Sequence, residues 1–296
     1  MAEYDIGKLG IWTTLDSNSF SEAVDFAQAV ETMGYGTLWV PEAVGRDPFV
    51  LLSHLSSATS TLYLATGIAN IYARDAMAMH AIQQSLNELS GGRLALGLGV
   101  SHAEMVSGLR HHDYAAPLTT MRNYLEAMTA SLYVAPPPVR SGPLLIAALR
   151  EKMLGLAAAQ TDGAHPYFVT PEHTVRAREI LGPGKLLAPE QKVLTVTDAT
   201  QARAIARQHM AMYIALPNYR NNLLTLGFTE DDFENGGSDR LVDAIVAWGD
   251  ENTIMRRIEE HWDAGADHVA LQCLRHDGEA GYDMDTVRAF APRNGG

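Results

Sequence analysis

The sequence predicts an α/β fold, specifically a (β/α)8 barrel, from three observations. A unit of amphipathic helix, terminating glycine and short β-rich run recurs along the chain. Eight such β-rich runs can be picked out, and they alternate with the helices instead of clustering. The length of 296 residues suits one barrel of about 250 residues plus an insertion, so a single domain over 1–296 is expected. Alternation demands parallel pairing with right-handed crossovers, and eight such units close naturally on themselves. An open doubly wound sheet is the competing arrangement of the same units.

The first strand reads at 9–12. Ser19 and Glu22 then form a capping box, and Phe20, Ala23, Val24, Ala27, Val30 and Met33 follow at helical spacing until Gly34. The second strand reads at 37–40 and the third at 62–66. A helix over 75–89 is stopped by Gly91 and Gly92 before the fourth strand, 94–98. Ala135-Pro136-Pro137-Pro138 is a stiff connector to the fifth, 144–147. The sixth and seventh read at 164–169 and 193–197. Ile254, Ile258 and Trp262 share one helix face, and Gly265 ends that helix before the eighth strand, 268–274. The stretch 216–238, with Pro217, Gly227 and the acidic run 229–233, fits no unit and reads as a helical insertion over one end of the barrel.

Composition narrows the function classes. The chain is 47% hydrophobic and 19% charged, enough for a large core. No apolar run approaches the roughly 18 residues of a membrane span. The single cysteine, Cys273, excludes an intrachain disulfide framework and a cysteine-rich metal site, which suits a reducing cytoplasm. The opening residues MAEYDIGKLG lack the pattern of an export signal. A net charge of −13 argues against a nucleic-acid partner but leaves room for an anionic small molecule held by a local cluster of donors.

Barrel enzymes place their chemistry at the C-terminal ends of the strands. The candidates there are Trp12, Glu42, Gly67, Ile68, Ala69, Asn70, Gly99, Val100, Ser101, His102, Ala147, Ala148, Leu149, Arg150, Lys152 and His165. The segment RLALGLGVSH from Arg93 carries Gly97 and Gly99 in the manner of a dinucleotide fingerprint, although His102 stands where the third glycine belongs. Gly99-Val100-Ser101-His102-Ala103 also approximates a nucleophile elbow, with His268 or His276 as partner in a serine hydrolase. Between strand five and its helix, the N–H groups of Ala148, Leu149 and Arg150, with Arg150 and Lys152 beside them, form a plausible phosphate cradle. The adjacent His111 and His112 point in different directions on a helix, and no motif has metal-ligand spacing, so no metal is expected.

Four segments resemble the luciferase-like monooxygenase superfamily, and especially its branch dependent on the deazaflavin coenzyme F420. They are YGTLWVPEAVGRDPF from Tyr35, LATGIANIYARDAMAMHAIQQSLNELSGGRLALGLGVSH from Leu64, PLLIAALREKML from Pro143 and DGAHPYFVTPEH from Asp162. The resemblance implies a non-prolyl cis peptide at Gly67-Ile68 that backs the cofactor ring, and a cofactor phosphate near Ala148 to Lys152. It also implies a homodimer acting on a small organic substrate. Members that oxidise sugar phosphates carry an acid and a histidine after the second strand and a glutamate after the fourth. Here Glu42, Ala43 and His102 stand in those places, so that mechanism is not expected. His102, Glu42 and His165 are left to assist proton transfer or orient substrate. F420 would give hydride transfer, and FMN, the alternative cofactor, would give monooxygenation.

Overall fold

The computed structural model describes residues 4–292; residues 1–3 and 293–296 of the expected 1–296 domain lie outside them. The fold is α/β. Its strands are β1 (Leu9–Trp12), β2 (Thr37–Val40), β3 (Tyr63–Thr66), β4 (Ala69–Asn70), β5 (Leu94–Gly99), β6 (Leu144–Ile146), β7 (Gly163–Ala164), β8 (Leu186–Leu187), β9 (Glu190–Leu194), β10 (Val246–Trp248) and β11 (Val269–Cys273). They form one curled sheet in the order β10-β9-β11-β1-β2-β3-β5-β6-β7-β8, with β4 against β5. Its ladders are parallel. β8 and β9 are separated only by Ala188 and Pro189. Ala188 N–H donates to Ala164 O at 3.0 Å, while Pro189 O accepts from Ala270 N–H at 2.9 Å, so residues 186–194 touch both ends of the order.

Alternation along the strands sorts side chains into two layers. Trp12, Trp39, Ala65, Ala95, Leu145, Ala188 and Ala270 cluster on the inner face. Ile11, Leu38, Leu64, Leu96, Ile146, Leu187 and Leu271 lie on the outer face and join the main core with the surrounding helices. Those helices begin and end where the sequence marks them. Ser19 and Glu22 cap helix Phe20–Thr32 reciprocally, Asp75 caps helix Ala76–Ser90, and Gly91 closes the latter in the left-handed region at φ 68°. None of the described helices is long and apolar enough to cross a membrane.

The sequence expectation fails between 163 and 248. The sixth strand stops at Ala164 instead of 169, because Pro166 has no N–H to pair and Phe168 adopts φ 62°. The seventh lies at 190–194, upstream of the expected 193–197, and points Glu190 and Lys192 inward, beside Ala270 and Gln272 of β11. β10 was not anticipated. It follows helix Asp239–Ile245 with no glycine between them, so the helix-stop signal is missing. The stretch 216–238 holds the α-helix Pro217–Thr225 and 3-10 turns over Glu230–Gly236.

Candidate active site

The site is organised by a bulge between β3 and β4. The Gly67-Ile68 peptide bond is cis. Gly67 N–H still donates to Val40 O at 2.8 Å, and Ile68 O accepts from Glu42 N–H at 3.0 Å, so the bulge is tied to the end of β2. Two glycines of β5 make room for it. A Cβ on Gly97 would lie 2.1 Å from Thr66 O, and one on Gly99 would lie 2.5 Å from Ile68 Cδ1. These glycines are therefore strand residues that admit the bulge, which removes the dinucleotide-fingerprint reading of RLALGLGVSH.

Glu42 is engaged on the flank of the bulge. Its carboxylate accepts from Asn70 N–H at 2.8 Å and from Arg74 Nη1 at 2.8 and 3.0 Å. Arg74 also pairs with Asp47, the N-cap of helix Pro48–Ser56. Of the three expected proton-handling residues, Glu42 is thus committed to holding the chain at 70 and 74 in register. His165 lies beneath the bulge, not at its open face. Its ring stacks on Trp39 with centroids 4.3 Å apart, and Nδ1 bonds Ala188 O at 2.7 Å. Nε2 has no partner and faces the position a Gly67 side chain would occupy. Burial lowers its pKa to about 4, so the ring is neutral at pH 7. Trp12 shares this underside, its indole N–H donating to Gly67 O at 2.8 Å.

His102 does stand at the open end. The turn after β5 places Ser101 at φ 55°, and His102 O accepts from Met105 and Val106 N–H where the π-helical turn Glu104–Leu109 begins. Its half-buried ring lies 5.3 Å from Tyr219 of helix Pro217–Thr225. Burial depresses its pKa, partly opposed by Glu104, so this imidazole too is neutral at pH 7.

The hydrolase alternative lacks its base. His268 is buried with both ring nitrogens occupied, Nδ1 by Gly7 O at 2.7 Å and Nε2 by the Trp39 indole at 3.0 Å. His276 Nε2 bonds Thr195 Oγ1 at 2.9 Å. Neither is bonded to Ser101, whose carbonyl accepts from Tyr114 Oη.

The segment expected to form the cradle is the turn after β6, at the start of a helix. Helix Glu151–Gln160 begins one residue beyond Arg150, which is an extended N-cap without a side-chain cap bond. Ala147 N–H is already used by Leu98 O at 2.8 Å. The N–H groups of Glu151 and Lys152 in the first turn have no partner within the helix, and they continue the run of Ala148, Leu149 and Arg150. Arg150 is exposed and reaches Asn218 Oδ1 at 3.4 Å.

Sequence reasoning missed a polar cluster on the inner face of β9 and β11. Lys192 Nζ lies 2.9 Å from both Glu190 carboxylate oxygens, and both side chains are buried. Burial pushes Glu190 up and Lys192 down, and their mutual contact opposes both shifts. The ammonium sits 3.8 Å from the centroid of the Tyr167 ring. Tyr167 Oη is 2.9 Å from both Tyr213 Oη and Gln272 Oε1. The available signal was the pair of charges two residues apart in EQKVL, which places both on one face of a strand. No group of three His, Cys, Asp or Glu is arranged to hold a metal among the described residues.

Residues 6–268 match the luciferase-like monooxygenase family. The chain belongs to that family. A Mycobacterium tuberculosis relative, provisionally named a coenzyme F420-dependent oxidoreductase, is 26% identical over 283 residues, spanning 81% of this chain and 79% of its own length. The coenzyme F420-dependent tetrahydromethanopterin reductase of Methanopyrus kandleri superposes with a TM-score of 0.69 at 17% identity, covering 89% of this chain and 92% of its own. The oxygenating constituent of 3,6-diketocamphane monooxygenase from Pseudomonas putida, solved with FMN, gives 0.70 at 13% identity, covering 96% and 97%. At these identities the structural likeness is one of fold. The luciferase-like family supplies oxidoreductases and monooxygenases among these relatives, so a deazaflavin or flavin is the plausible cofactor.

Proposed function

We propose that this luciferase-like chain is an F420-dependent oxidoreductase that transfers a hydride between the deazaflavin and a small organic substrate. The reading includes a single domain in which residues 186–194 count as one strand, so that eight parallel units close into a barrel. It also includes a cytoplasmic homodimer, with 216–238 lying over the barrel mouth.

The carrying observation is the bulge. Ile68 keeps accessible surface while Gly67, Ala69, Asn70 and Gly99 around it are buried. That is a firm, apolar support for one face of a flat ring system. An anionic phosphate would be held by the free N–H groups of Glu151 and Lys152, with the Arg150 and Lys152 side chains beside them. The residues present therefore fit a deazaflavin or a flavin. When bound, F420 supplies the two-electron hydride chemistry. Glu42 and Arg74 fix the flank of the bulge, Trp12 and His165 support it from below, and neutral His102 is placed to give or take a proton at a ring nitrogen on the substrate side. Tyr219, packed on His102, keeps water from that side.

Titration of the purified chain with F420, and separately with FMN, tests the reading through cofactor or tryptophan fluorescence. Saturable F420 binding with weak FMN binding is expected. Preference for FMN would move the chemistry to monooxygenation, and binding of neither would remove the cofactor assignment.

A further inference from the structure

Beside the bulge stands a second wall, built from parts of the chain far apart in sequence. Tyr167 follows β7, Tyr213 ends helix Ala199–Ile214, Tyr219 belongs to helix Pro217–Thr225, and Trp12 ends β1. The Tyr167 ring lies 5.1 Å from Trp12, 5.4 Å from Tyr213 and 6.1 Å from Tyr219, and Phe168 lies 5.3 Å from both Tyr213 and Tyr219. Trp12 links this wall directly to the bulge through its bond to Gly67 O. Tyr167 and Tyr213 retain accessible surface, whereas Trp12, Phe168 and Tyr219 are buried.

The charges around this wall cancel. Glu190 and Lys192 face each other, and their summed charge is zero wherever the shared proton resides. The polar atoms offered along the wall are the neutral Tyr167 and Tyr213 hydroxyls and the Gln272 amide. An ionised ligand would leave water here without gaining a counter-charge, whereas a flat neutral one gains ring contacts at no such cost.

We propose that the Tyr167–Tyr213 wall over the self-neutralised Glu190–Lys192 pair, braced against the bulge by buried Trp12, is the substrate-recognition surface, and that it selects an uncharged, flat carbonyl compound over the corresponding carboxylate. Glu190 acts here as a specificity-determining residue, because it cancels a cation that would otherwise attract anions. The inference rests on the proposed function only in taking the barrel mouth as the reaction chamber.

The test is equilibrium dialysis of the full chain, without and with added F420, against 2-acetylnaphthalene and 2-naphthoate at pH 7. These probes share a ring system and differ in charge. The wild-type chain is expected to prefer the ketone by about tenfold or more, and Glu190→Gln to shift that ratio toward naphthoate by about tenfold. The double variant Glu190→Gln/Lys192→Met, again without net charge at the pair, should restore the ketone preference. Equal binding of the two probes by the wild type, or a ratio unmoved in a folded Glu190→Gln chain, overturns the proposal. Should Glu190→Gln not fold, Tyr213→Ala must weaken the ketone by about tenfold, and unchanged affinity overturns the proposal equally. A chain that discriminates the probes but ignores F420 keeps this inference and loses the cofactor reading; a chain that binds F420 without discriminating does the reverse.

Discussion

The stretch from β1 to β6 and the stretch from β7 to β11 solve the same packing problem with different materials. In the first, the inner face is lined by Trp12, Trp39, Ala65, Ala95 and Leu145, with Gly97 and Gly99 leaving space for the bulge. In the second, the inner face carries His165, Glu190, Lys192, His268 and Gln272, which are buried and each bonded to a specific partner, His165 through Nδ1 alone. One side is held by shape and the other by polar pairing. A shape-held wall suits a passive support for a cofactor ring, and a polar-paired wall can discriminate among substrates.

The contrast predicts unequal responses to acid, which is the largest expected effect. His165, His173, His261 and His268 all lie after residue 160, and burial lowers them to about 4, 4, 3 and 4. Their folded values lie below the unfolded value of about 6.5, so the unfolded chain takes up protons first as pH falls. Stability is therefore full above about pH 6.5 and declines toward pH 4, by roughly 2 kcal/mol per histidine at pH 5. Hydrogen exchange at pH 5 should show amides of 163–273 opening before those of 9–146. Uniform opening would erase the distinction.

Breaking the buried pair comes next. Lys192→Met leaves Glu190 without its partner and should cost about 3–5 kcal/mol in urea unfolding, with part of the loss recovered by adding Glu190→Gln. On the shape-held side, Gly97→Ala drives a Cβ against the Thr66 carbonyl, a backbone atom that cannot swing away, and should cost about 3 kcal/mol. The smallest effect is expected at a helix end remote from either wall. Ser19→Ala removes the capping-box hydroxyl and should lower stability by about 1 kcal/mol, with F420 binding unchanged.

The same contrast explains what the sequence reveals. β1 and β2 are readable to the residue, since Leu9–Trp12 and Thr37–Val40 follow or precede capped helices and glycine stops. The bulge position at Gly67-Ile68 is readable too, though only through family resemblance. Glu190 and Lys192 defeat hydrophobic patterning because buried charges look like solvent-facing ones until their partners are known. β10 is hidden for a simpler reason: helix Asp239–Ile245 runs into it without punctuation. His102 and His165 were both found from their positions after strands, but patterning could not say that one lies at the open end and the other beneath the bulge.

The central claim is that the bulge between β3 and β4 supports the cofactor ring, and the most direct measurement is an F420 titration of the wild-type chain beside Gly99→Leu. A side chain at 99 would run into Ile68 Cδ1 and Cγ1 and push the Ile68 side chain into the space where the ring is expected to rest. The account predicts that Gly99→Leu stays folded and binds F420 at least about 30-fold more weakly, a difference of roughly 2 kcal/mol. Equal affinity in the two chains would contradict it and place the cofactor elsewhere.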